Sequence, residues 1–232
     1  MFVFYLNYDY LQVQFYNVCM KNKNTRDYVI DILLTAFAAL LCGTGCGFMN
    51  YASLGMDSIG TLYDGIRTAF NLSLDSIGTV SMCLSVILII ILFFIKRKYV
   101  SIGTLIYFLI YGVFANLSTA ALQRIITADS IPVKATTGIL GILILSFGLG
   151  IYIAVDIGVD PFTGIILLIT DITHKKLEII KIIFDIITIV IGILLGARIG
   201  ALTVIATLTE GPLIAFFTKK VQAFYFKKIR RI

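Results

Sequence analysis

The stretch Ser76–Ile95, SIGTVSMCLSVILIIILFFI, is followed at once by Lys96, Arg97 and Lys98. It carries no charge, and it exceeds the run of about 18 apolar residues that a helix needs to cross the hydrocarbon core of a bilayer. Its end on three cations matters as much as its interior, because lysine and arginine collect on the cytoplasmic side of membrane spans. One segment thus announces both a membrane helix and the direction in which it runs.

Five further runs can be read outward from it. Ile32–Met49, Tyr99–Gln123 and Ala135–Val155 are also free of charge, whereas Ile182–Ala197 and Ile199–Thr218 each contain one acid, Asp185 and Glu210. Apolar residues make up 59% of the chain and charged residues 14%, a balance that no water-soluble fold could bury. The expected fold is therefore an all-α membrane protein of six transmembrane helices, with the lipid bilayer as its first partner. None of the runs has the form of a cleaved signal peptide.

The net charge of +6 does not point to nucleic acid, because the cations lie in clusters at the ends of apolar runs rather than along one soluble face. With six spans and a cytoplasmic N-terminus, the inner segments hold Lys21, Lys23, Arg26, Lys96–Lys98, Lys175, Lys176, Lys181 and the tail from Lys219 to Arg231, 15 of the 19 basic residues. The outer segments hold Arg67, Arg124, Lys134 and Arg198, beside the acids Asp57, Asp64 and Asp75. This asymmetry predicts a multi-pass protein of the bacterial cytoplasmic membrane with both termini inside. Residues 1–19 are aromatic but too interrupted by Asn, Asp and Gln to span; they are either upstream of a true start at Met20 or an interfacial segment.

A shift of 103 positions superposes Gly43, Gly45, Gly47, Gly55 and Asp57 on Ser146, Gly148, Gly150, Gly158 and Asp160. After a four-residue change in loop length, Thr104 falls on Thr203 and Gly112 on Gly211. The chain thus divides into a cytoplasmic segment 1–28, a first three-helix repeat 29–123, a second repeat 124–218 and a basic tail 219–232. With three crossings per half the second copy starts on the opposite side from the first, so the repeats are inverted, an arrangement found in many secondary transporters.

Each half also contains a short segment of moderate polarity, about 58–72 and 161–173, too short to span and so either interfacial or re-entrant. Asp160-Pro161 is a strong helix start, a carboxylate N-cap followed by proline at the first helical position, and Asp57-Ser58 offers the same capping chemistry. A cap that brings its own carboxylate favours a cationic, zwitterionic or proton-linked ligand over an anion; the alternative is that both aspartates only cap helices. Gly43-x-x-x-Gly47, Ser146-x-x-x-Gly150 and Gly192-x-x-x-Gly196-x-x-x-Gly200 place small residues one turn apart, as close helix packing in lipid requires. Cys19, Cys42, Cys46 and Cys83 form no metal-binding pattern with the single His174, so neither a metal nor a cofactor is expected.

In these residues the chain resembles the bacterial YczE/YyaS/YitT family of integral membrane proteins, closest to its YczE-like branch, over about residues 35–217. The resemblance rests on LGMDSIGTL (54–62), LSLDSIGTVS (72–81), GLGIYIAVDIGVDPF (148–162), Lys181-x-x-x-Asp185, GILLGARIG (192–200) and TVIATLTEGP (203–212). It implies a polytopic bacterial membrane protein, not a reaction.

The candidate binding residues are Asp57, Asp160, Asp185, Glu210 and Asn50, with Lys181 a turn away from Asp185. They point to a transporter-like protein whose site lies between the halves, proton- or cation-linked, with a small molecule or ion as substrate and room for a homo-oligomer. The competing class is a membrane scaffold or assembly factor. An enzyme is not expected, since no G-x-S-x-G, H-E-x-x-H or P-loop pattern is present.

Overall fold

A computed structural model describes residues 25–126 and 130–225. Eight α-helices and no strands are found among them: α1 (Thr25–Ala52), α2 (Ser58–Ala69), α3 (Ile77–Lys96), α4 (Ile102–Ile125), α5 (Ile131–Val155), α6 (Pro161–Thr173), α7 (Leu177–Leu194) and α8 (Ala201–Phe224). A single 3₁₀ turn, Leu74–Ser76, leads into α3, and another, Arg97–Tyr99, closes it. The expectations for residues 1–19 and for the end of the basic tail lie outside the described residues.

Helices α1, α3 with its flanking turns, α4, α5 and α8 are long and apolar enough to cross a membrane. Helix α7 is 18 residues long and mostly Ile, Leu, Val and Phe, but it carries Glu178, Lys181 and Asp185. Isoleucine is only a moderate helix former in water; in hydrocarbon the helix is enforced because every backbone N–H and C=O must be paired within the segment. Polar residues set the ends. Ser101 and Thr104 form a reciprocal capping box at the start of α4, and α5 and α6 each end on a left-handed residue, Asp156 and His174.

Helix α1 is the centre of the molecule, packed on α5 along one side and on α4 along another. Ala38, Ala39, Cys42, Cys46, Met49 and Ala52 on it are fully buried. The approach to α5 is at backbone distance: a Cβ on Gly45 would lie 2.6 Å from the Gly141 carbonyl oxygen, and one on Gly141 would lie 2.8 Å from that of Gly45. Isoleucines, leucines and phenylalanines cover the outer faces, Phe94 and Leu194 the most exposed among them.

The two short helices cross over between the halves, with α2 packed on α7 and α6 on α3. The contacts along α2 give its direction. Ser58 at its start meets Asp185 in the middle of α7, Gly65 lies against Gly192 near the end of α7, and Asp64 meets Arg198 in the connection beyond. The N-terminus of α2 therefore sits deep beside α7 and its C-terminus at one end of the bundle. Helix α6 does the same in the other sense: Gly164 lies against Leu92, and Asp171 meets Lys96 and Lys98 at the end of α3.

These contacts define two ends. At the first, Asn50 donates to the Leu74 carbonyl at 2.7 Å, Tyr51 to that of Ile126 at 3.1 Å, and the Leu202 amide to Leu54 at 3.1 Å. At the second, Thr104 donates to Val159 at 2.7 Å and the Tyr225 hydroxyl meets Asp31.

Candidate functional site

Asp57 precedes α2 in extended conformation (φ −60°, ψ 175°), but its side chain makes no capping hydrogen bond of good geometry, only a looser contact with the Gly60 backbone. Asp160, its counterpart, does: Oδ1 accepts from the amides of Phe162 and Thr163, each at 3.1 Å. The two aspartates that the repeat aligns thus have different surroundings. Asp160 is held by its own helix, whereas Asp57 faces charges on α7 and α8.

On α7, Lys181 Nζ donates to Asp185 Oδ2 at 2.9 Å, one turn along the helix. Ser58 Oγ donates to Asp185 Oδ1 at 2.8 Å from the start of α2. Glu210, the tenth residue of α8, has a buried Oε1 without a hydrogen-bond partner among the described residues. Asp57, Lys181 and Asp185 lie within electrostatic reach of it. Three carboxylates and one ammonium thus share a region between α2, α7 and α8, a composition suited to a proton or a cation. Among the described residues no group of three or more His, Cys, Asp and Glu side chains is placed to hold a metal ion.

An aromatic layer adjoins this cluster. Tyr63 on α2 stands edge-on to Phe162 on α6 at 5.6 Å, and Phe162 in turn to Phe184, the neighbour of Asp185, at 6.2 Å. Tyr107 packs on Tyr111 at 5.5 Å and on Tyr152 at 4.6 Å. All four tyrosines are buried, and the Tyr152 hydroxyl has no partner among the described residues.

Asn50, predicted with the acids, belongs elsewhere. It is fully buried, and its Oδ1 accepts from Arg198 at 3.0 Å. Arg198 also binds Asp64 through its backbone amide (2.8 Å), Nε (3.0 Å) and a terminal nitrogen (2.7 Å), and donates to Ser53 at 2.5 Å. Arg67 completes the set with a bond to Asp64 of 3.0 Å. Burial alone would push the Asp64 carboxyl up, but these bonds from Arg198 and Arg67 outweigh it and hold the group below the usual carboxylate range.

At the opposite end of the bundle Asp171 accepts from Lys96 at 2.6 Å and Lys98 at 2.8 Å, and from the Tyr99 hydroxyl. Hydrogen bonds from Lys96, Lys98 and Tyr99 hold its carboxyl well below the usual range. Neither network stands out in a search for acids inside apolar runs, because its members lie at helix ends and in connections. A signal did exist: the alignment that puts Thr104 on Thr203 also puts Tyr99 on Arg198, and each of these binds an acid on the short helix of the other half.

The small residues separate into two groups. Gly43 and Gly47 on α1 lie against the backbone of Tyr111 and Ala115 on α4, and Gly150 against Phe217 and Thr218 on α8, while Ser146 is fully buried. Gly192 packs on Thr61 of α2. Gly196 and Gly200 do not continue its stripe: α7 ends at Leu194, Gly196 turns the chain with φ +91°, and Gly200 precedes α8. The expected face of three glycines one turn apart fails because the helix stops before the second.

Long apolar helices packed through glycines, with charges gathered at their ends and in one interior cluster, define a polytopic α-helical membrane protein. The chain belongs to a family of unknown function (DUF6198), whose family model matches residues 29–219. It is similar to an uncharacterized protein of Haemophilus influenzae, with 26% identity over 188 residues that cover 81% of this chain and 82% of that one. No solved structure matches.

Proposed function

We propose that the chain is a transporter-like protein of the bacterial cytoplasmic membrane, in which Glu210 binds a proton or small cation between two inverted three-helix halves. The observation that carries this reading is the Glu210 carboxylate, whose Oε1 is buried and without a hydrogen-bond partner among the described residues, beside Asp57, Lys181 and Asp185. An acid inside a span costs about 2.5 to 3.5 kcal/mol on insertion scales, so it persists where it is used.

The packing supports the inverted arrangement. Helix α7 serves as the sixth span, its Asp185 neutralised by Lys181 and covered by Ser58. The short helices are re-entrant, with Asp57 and Asp160 at their inner tips, and the charge asymmetry supports a cytoplasmic position for the Asp171 end.

The test is purified protein in vesicles with an entrapped pH-sensitive dye, challenged with sodium, potassium and a panel of small organic amines. The wild type should move protons with at least one of them, and Glu210→Gln should abolish that flux while the protein still inserts and folds. Unchanged flux in Glu210→Gln would refute the role of the carboxylate. A wild type that moves none would favour a membrane scaffold.

A further inference from the structure

We propose that the Asp64 and Asp171 networks are two latches of unequal strength at opposite ends of the bundle, and that access to the Asp57–Asp185–Glu210 cluster opens at the Asp171 end while the Asp64 end stays shut. The idea of access rests on the transport reading above; the latches themselves are geometric. Each ties the C-terminal part of one half's short helix to the connection between two long helices of the other half, Asp64 on α2 to Arg198 and Asp171 on α6 to Lys96, Lys98 and Tyr99.

Their strengths differ for physical reasons. The Asp64 side chain is 1% exposed and Arg67 12%, and both carboxylate oxygens of Asp64 are engaged by a planar guanidinium, an amide and a second arginine. Arg198 is itself 32% exposed, but the carboxylate it binds is out of contact with water, so salt screens this pair less than one exposed on both sides. At the other end Asp171 is 33% exposed, Lys96 41% and Lys98 57%, and all three donors converge on one oxygen, Oδ2. Exposed lysine pairs of this kind are weak and screened.

The weak latch holds α6, whose first turn packs between α2 and α7. Phe162, in the first turn of α6 and buried, lies edge-on to both Tyr63 and Phe184, the latter adjacent to Asp185. Releasing Asp171 frees α6 from the end of α3 and lets Phe162 withdraw from between α2 and α7, which uncovers the cluster from the Asp171 side.

A thiol reporter reads this without transport. In a background lacking all four native cysteines, Ser58→Cys places a thiol beside Asp185, and a charged membrane-impermeant methanethiosulfonate reagent is applied to oriented vesicles from either face. Asp171→Asn should speed labelling from its own face about fivefold, the shift that an exposed ion-pair network can hold, and leave the rate from the Asp64 face unchanged. Raising the salt concentration on the unmutated latches should act in the same direction, because salt screens exposed pairs more than partly buried ones. Rates that ignore both Asp171→Asn and salt, or faster entry from the Asp64 face, would overturn the proposal. Labelling that follows the latch in a protein with no flux would sustain the latches and remove the transport reading, so the two can fail separately.

Discussion

The Asp64–Arg198 pair allows a stability prediction with a stated size. Asp64→Ala removes a side chain that is 1% exposed and leaves the Arg67 and Arg198 guanidinium groups facing each other without the charge between them. Breaking a buried pair from one side costs about 3 to 5 kcal/mol; Arg198 keeps Ser53 and Asn50, and its side chain is 32% exposed, so the lower end, about 3 kcal/mol, is expected. Arg198→Ala removes two of the donors to Asp64 but leaves the backbone amide of residue 198 and Arg67 in place; the loss of charged hydrogen bonds should cost about 1.5 to 3 kcal/mol. The double variant should fall well short of the sum, since the second change removes a group already unpaired. Reversible unfolding in mixed micelles, followed by circular dichroism, measures all three. An Asp64→Ala variant within about 0.5 kcal/mol of wild type, or strict additivity, would show that the pair behaves as a solvated surface contact and would refute the argument.

Two further outcomes follow from the same structure. Asp160→Ala should lose about 1 kcal/mol through the missing N-cap, whereas Asp57→Ala should lose less, because its side chain makes only a looser contact with the Gly60 backbone; the same unfolding assay compares them, and equal losses would contradict the asymmetry. Gly141→Leu should separate α1 from α5, since even a Cβ there would stand 2.8 Å from the Gly45 carbonyl and 2.9 Å from the Met49 amide, and faster modification of the buried Cys42 and Cys46 by a small permeant thiol reagent should report it; unchanged modification would show that the contact yields.

The six apolar runs, the clustered cations, the duplicated glycines and the aspartates at 57 and 160 were all legible from the chain alone. Each is a local property: a run either tolerates hydrocarbon or does not, and proline after aspartate starts a helix wherever it stands. Glu210 and Asp185 could be singled out for the same reason, as charges inside runs that should have none.

What tertiary structure decided is which partner each polar group finds. The aligned aspartates part company because Asp160 bonds its own helix, while Asp57 faces Asp185, Lys181 and Glu210 from the other half. Asn50 leaves the predicted acid group for Arg198, and the glycine stripe from Gly192 to Gly200 breaks where α7 ends. Ser58 meets Asp185 across 127 residues and Asp64 meets Arg198 across 134. No local pattern encodes separations of that length. They arise because glycines such as Gly65 and Gly192 let a short helix of one half lie against a long helix of the other, and only that packing brings the charges together.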